Sequence, residues 1–79
     1  MPAENMHVLR DLVERGNFHH ATYRCQGSLW EGLWFYRRKP DGFRGYEVAG
    51  CILKDDPDLD EAYKLVAGTG VSLGSYGNG

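Results

Sequence analysis

Two extended runs, Trp30-Glu31-Gly32-Leu33-Trp34-Phe35-Tyr36 and Phe43 to Leu53, are joined by Lys39-Pro40-Asp41-Gly42, and both are apolar at odd and even positions alike. Side chains alternate across a strand, so a hairpin made from these runs presents bulky apolar groups above and below its plane. A chain of 79 residues must then cover two greasy faces with few remaining elements. At this size folding buries only roughly 60 to 65% of the unfolded surface, which makes a lone core marginal.

The flanking segments supply those elements. From Pro2 to Arg15, Met6, Leu9, Leu12 and Val13 recur at threes and fours, which predicts an amphipathic helix with Gly16-Asn17 as its left-handed stop. Phe18 to Cys25 alternates and carries β-branched and aromatic residues, as a strand does, and Gln26-Gly27-Ser28 is its turn. Leu29 to Arg38 and Phe43 to Lys54 complete a meander. Asp56 as N-cap, with Pro57 at the first helical position, starts a second helix. Its buried stripe is Leu59, Ala62, Tyr63 and Val66, and Gly68 ends it. Residues 68–79 form a Gly-rich tail in which Val71 and Leu73 offer a short fourth strand at the edge. Its Gly68-Thr69-Gly70-Val71-Ser72-Leu73-Gly74 follows a helix rather than opening one, the wrong context for a phosphate loop. The fold class expected is α+β: a single domain over 1–79 with an N-terminal helix, a three-stranded antiparallel β-meander and a C-terminal helix.

Pro40 and Asp41 suit a type I turn, and Gly42 suits the left-handed residue of a G1 bulge. That loop predicts a register pairing Arg38 with Arg44, Tyr36 with Tyr46, Trp34 with Val48, Gly32 with Gly50 and Trp30 with Ile52 on one face. Arg37 with Gly45, Phe35 with Glu47, Leu33 with Ala49 and Glu31 with Cys51 share the other; a slip of one residue would exchange the faces. Gly32 opposite Gly50 would leave a notch in an aromatic floor, suited to a small flat apolar or aromatic ligand. Alternatively the notch receives a helix of the same chain, or one glycine marks a bulge.

The two helices can cover one face or split between both. Either way apolar rims stay open, and such a patch usually meets another subunit. The expectation is a homo-oligomer, a symmetric dimer in the simplest case, using Trp30, Gly32, Trp34, Tyr36, Tyr46, Val48, Gly50 and Ile52.

Charge points to a second reading. Arg37, Arg38, Lys39 and Arg44 cluster at the hairpin tip with Tyr36 and Tyr46 directly behind two of the arginines, a basic patch with aromatic platforms of the kind single-stranded nucleic acid uses. The net charge of −2 weighs against it, and a solvated hairpin end, or one facing the acidic run Asp55 to Glu61 of a neighbouring subunit, is the plainer account. A third reading is a small enzyme built on Glu31 and Glu47 as buried carboxylates, where the plainer account is pairing with a base such as Arg37. His7, His19 and His20 suggest no metal site, because adjacent residues of a regular strand point to opposite faces. No cofactor is expected. Cys25 and Cys51 fall on strands flanking the central one, too far apart to bridge, and are expected as reduced thiols. No apolar run approaches a membrane span and the first residues lack the pattern of a signal peptide, so a cytoplasmic location is expected. The reading adopted is a non-catalytic, self-associating module that works through an aromatic sheet face.

Overall fold

In the computed structural model, which describes residues 2–25, 27, 29–40, 43–71 and 73–76, the chain opens with helix α1, Pro2–Glu14. The helix stops as its sequence requires. Gly16 adopts φ +73°, its amide donates to the Val13 carbonyl, and the Asn17 amide donates to the Leu12 carbonyl, so the last turn closes in a Schellman motif. Strands β1, Phe18–Arg24, β2, Gly32–Arg38, and β3, Tyr46–Leu53, follow, then helix α2, Leu59–Gly68, and strand β4, Gly74–Tyr76. This is a small α+β domain with an antiparallel meander between two helices.

Helix α2 starts later than its acidic preface suggests. The N-cap is Asp58, without a side-chain cap bond, rather than Asp56; Asp56 Oδ1 instead accepts the Asp58 amide at 2.8 Å in the turn at residues 57–58, and regular helix begins at Leu59. It ends at Gly68 as expected, although the left-handed position is taken two residues on by Gly70 (φ +77°), whose amide donates to the Ala67 carbonyl. The expected turn residues Gln26, Ser28, Asp41 and Gly42 lie outside the described residues, as do Ser72 and residues 77–79 of the tail. The fourth strand is present but is not the segment expected: Gly74–Tyr76, not Val71 and Leu73, pairs in parallel with Thr22–Arg24. Among the described residues the sheet order is β3-β2-β1-β4.

The main correction concerns register. The β2–β3 connection is longer than a three-residue loop: the Lys39 amide donates to the Gly45 carbonyl, Gly45 adopts φ +88°, and β3 begins at Tyr46 rather than Phe43. Arg38 therefore faces Tyr46, Arg37 faces Glu47 and Tyr36 faces Val48. A displacement of two residues keeps every side chain on its expected face. Beyond it, a β-bulge at Ala49 adds one residue, so Phe35 faces Gly50, Trp34 faces Cys51, Leu33 faces Ile52 and Gly32 faces Leu53. That single residue exchanges faces: Ile52 and Gly50 leave the face of Trp34, while Cys51 and Leu53 join it.

Both helices lie on the same face. Met6, Leu9 and Leu12 of α1 and Ala62 and Val66 of α2 close over Phe18, Ala21, Leu33, Phe35 and Ile52. An exposed Arg10–Glu61 ion pair links the two helices, which places part of the acidic run against a base of its own chain. Leu9, Leu33, Phe35 and Ile52 are fully enclosed, each contributing about 1.5–3 kcal/mol by leaving water.

The glycine notch is absent. A Cβ on Gly50 would lie 3.0 Å from the Phe35 ring and 3.3 Å from Asn5 Oδ1, so this glycine makes room for a core ring beneath α1. A Cβ on Gly32 would meet the Ile52 carbonyl oxygen at 2.4 Å and Leu53 Cα at 2.7 Å. Gly32→Ala therefore strikes backbone, which yields less than a side chain does. It is expected to cost about 1–3 kcal/mol, and more than Gly50→Ala, read as a lowered denaturant midpoint at unchanged m; equal midpoints for wild type and Gly32→Ala would contradict this packing.

Candidate functional site

Among the described residues no helix covers the second face of the sheet, and that face is aromatic. Trp34 and Tyr36 stand on β2, Tyr46, Val48, Cys51 and Leu53 on β3, and His20, Thr22 and Arg24 on β1. Tyr46, Val48 and Leu53 are 44, 47 and 36% exposed, and Trp30 is 57% exposed in the loop before β2. The sequence placed Trp30 on the strand; instead its carbonyl accepts the Trp34 indole N–H at 3.1 Å, tying the loop to the face. The Arg24 guanidinium lies 4.9 Å from the Trp34 ring centroid, a cation–π contact. Of the eight residues expected to line a binding face, Trp34, Tyr36, Tyr46 and Val48 share it. Trp30 is joined to it from the loop, Gly32 is buried against β3, and Gly50 and Ile52 belong to the core face.

Tyr36 is only 5% exposed although no helix lies over it. Its neighbours enclose it: the His20 ring stacks at 4.4 Å and 10°, Tyr46 meets it edge-on at 5.5 Å, and its hydroxyl is 3.2 Å from Thr22 Oγ1. A second bulge, between Phe18 and His20, explains how this cluster forms. It turns His19 to the same side as His20, against Tyr46 at 4.7 Å, and sets the two Nδ1 atoms 2.6 Å apart. The alternation rule that separated the two histidines therefore fails where the strand is irregular. Burial first, and the adjacent His19 second, lower the pKa of His20. Nothing in the order of residues marks this bulge, so the cluster was not readable from the chain.

The basic tip is partly committed within the chain. Arg37 Nε donates to Glu47 at 2.8 Å and Arg38 Nη1 donates to the Gly16 carbonyl at 3.2 Å, while Lys39 and Arg44 are exposed. Arg37, Arg38, Lys39, Pro40, Asn17 and Glu47 line an open polar cleft of about 450 Å³. With Tyr36 enclosed, only Tyr46 of the two expected platforms presents a ring near this end. Glu31 and Glu47 are not buried, their side chains being 27 and 36% exposed, and they lie toward opposite ends of β2. Each is paired with a base: Glu47 with Arg37, Glu31 with Lys54 at 3.5 Å. Cys25 and Cys51 are free thiols, and burial raises the pKa of Cys51, away from the thiolate needed for nucleophilic chemistry. Among the described residues no helix is long and apolar enough to cross a membrane. The chain matches no protein-family model, no curated protein and no solved structure.

On the helix side, the Tyr23 hydroxyl donates to Glu31 at 2.9 Å. Burial, then the hydrogen bond to Glu31 and its negative charge, push the Tyr23 pKa from 10.0 up to about 12. The folded state thus holds this proton more tightly than the unfolded chain does. The associated stability is complete below about pH 10 and is lost as pH rises through about 12. Tyr23→Phe has no such proton to lose, so denaturant midpoints taken from about pH 9 to about pH 12 should fall less steeply for the variant than for wild type. Parallel curves would show that Glu31 does not hold the phenol.

Proposed function

We propose that the chain is a non-catalytic assembly module whose copies associate through the uncovered sheet face, a symmetric pair being the simplest arrangement. The observation that supports this most is the one-sided placement of the helices: α1 and α2 are both spent on the Leu33, Phe35 and Ile52 face, and among the described residues no helix covers the Trp34 face. Domains are normally built from two packed layers, and a sheet whose second face is apolar completes a third layer by meeting another sheet about 10 Å away.

The way the edges are built favours contact through the face over contact along a strand. β3 is the longest strand, eight residues, and stands at the edge of the sheet. The Ala49 bulge breaks its regularity and Glu47 puts a charge on it, two devices that discourage strand addition. A stable pair of ordinary size hides about 800 Å² per partner, roughly 15% of the 5288 Å² that this chain exposes. The half-exposed Tyr46, Val48, Leu53 and Trp30 are the side chains that would supply its apolar centre.

Light scattering on a dilution series tests the reading. The expected mass is a multiple of the 8.9 kDa chain at high concentration, falling toward 8.9 kDa on dilution. Association by apolar burial should hold between low and moderate salt, whereas binding through the basic tip would weaken steeply. Val48→Arg, at a side chain 47% exposed and remote from the core, should leave far-UV circular dichroism unchanged and give the single-chain mass throughout. Wild type at single-chain mass at every concentration would remove the proposal.

A further inference from the structure

The bulge between Phe18 and His20 produces a second, independent feature on the open face. His19 Nδ1 and His20 Nδ1 lie 2.6 Å apart, with His20 stacked on Tyr36 and His19 laid against Tyr46. Tyr36 is itself held by the Thr22 hydroxyl at 3.2 Å, which anchors the ring on which His20 stacks. Two ring nitrogens this close share a proton: one Nδ1–H donates and the other Nδ1 accepts. In that hydrogen bond the two Nδ1 positions face each other; with the donor's proton moved to its own Nε2, a tilt of the two rings aims both lone pairs at one point beside the line that joins them.

We infer that His19 and His20 form a two-nitrogen chelate for a late first-row divalent metal ion, copper(II) foremost, through their Nδ1 atoms. Metal–imidazole bonds of about 2.0–2.1 Å at a right angle set two nitrogens about 2.9 Å apart, so the pair needs to open by about 0.3 Å and each ring to tilt until its lone pair leaves the line between the nitrogens. Both histidines are partly exposed, which leaves the ion a path and leaves water to complete its shell. Among the described residues no group of three or more His, Cys, Asp or Glu side chains is placed to hold a metal, so the pair gains no third ligand from these residue types. That donor set selects among metals. Lacking oxygen ligands, it does not suit magnesium or calcium; with two ligands rather than four, it is not a structural zinc site. Imidazole nitrogens in a cis pair suit copper(II), which also heads the ordinary affinity series. The inference does not depend on self-association, since both ligands come from one chain.

The test is titration of untagged full-length chain with copper(II) at neutral pH, followed by calorimetry and by electron paramagnetic resonance. One ion per chain with a spectrum reporting two imidazole nitrogens is expected. His19→Phe and His20→Phe keep an aromatic ring in the cluster and remove a donor. Each should weaken binding by at least about tenfold, the lower end of what losing even an outer-shell partner costs, and leave one imidazole in the spectrum. His7→Ala, at an exposed position on α1, should change neither. If a phenylalanine variant fails to fold, the nitrogen count on wild type still decides. Equal affinity in wild type and both variants, or a wild-type spectrum with fewer than two imidazole nitrogens, would overturn the site.

Discussion

The Phe35 ring beneath α1, in the space that Gly50 leaves, is the contact on which the rest of this structure depends. A side chain at position 50 would press on that ring at 3.0 Å, so the glycine and the aromatic are a matched pair across β2 and β3. Their pairing requires the extra residue at Ala49, and the extra residue decides which half of β3 faces the helices. Once Ile52 is turned inward beside Leu33, α1 and α2 have one continuous apolar floor and both settle on it. Cys51 and Leu53 are turned outward by the same step. The open aromatic face is thus the complement of the core, not a separate design.

Among the described residues no helix covers that face, yet its rings are ordered. Tyr36 is enclosed by His20, Tyr46 and Thr22, and Trp34 is fixed by its bond to the Trp30 carbonyl and by Arg24 above its ring. Rings held in place lose little freedom when a partner arrives, which suits a surface meant for contact. The proposed self-association uses the exposed rim of this arrangement, Tyr46, Val48, Leu53 and Trp30, while the histidine pair uses its more enclosed end. The two bulges, one on each strand flanking β2, are what create the two features.

The element order was legible because each helix and strand carries local signals. Met6, Leu9 and Leu12 repeat at helical spacing, Gly16 takes the left-handed stop, and Asp56 bonds the Asp58 amide in the turn that leads into α2. Trp34, Tyr36, Tyr46 and Val48 were placed on one face because a two-residue displacement does not disturb alternation. The error lay at Gly32, Gly50, Cys51, Ile52 and Leu53, all beyond the Ala49 bulge, and at His19, beside the other one. A bulge is settled by what packs on the strand, here a helix demanding Ile52 and Phe35 together, and no neighbouring residue in the chain announces it.

The chain by itself determined that there would be two amphipathic helices, an antiparallel ribbon and more apolar surface than one helical layer can hide. Those properties follow from spacing, turn chemistry and composition, which act over a few residues. Only the tertiary structure decided that both helices share a face, that the glycines serve packing rather than a notch, and that His19 and His20 meet. These outcomes depend on register, and register in a sheet is set by long-range packing, where one added residue exchanges inside for outside.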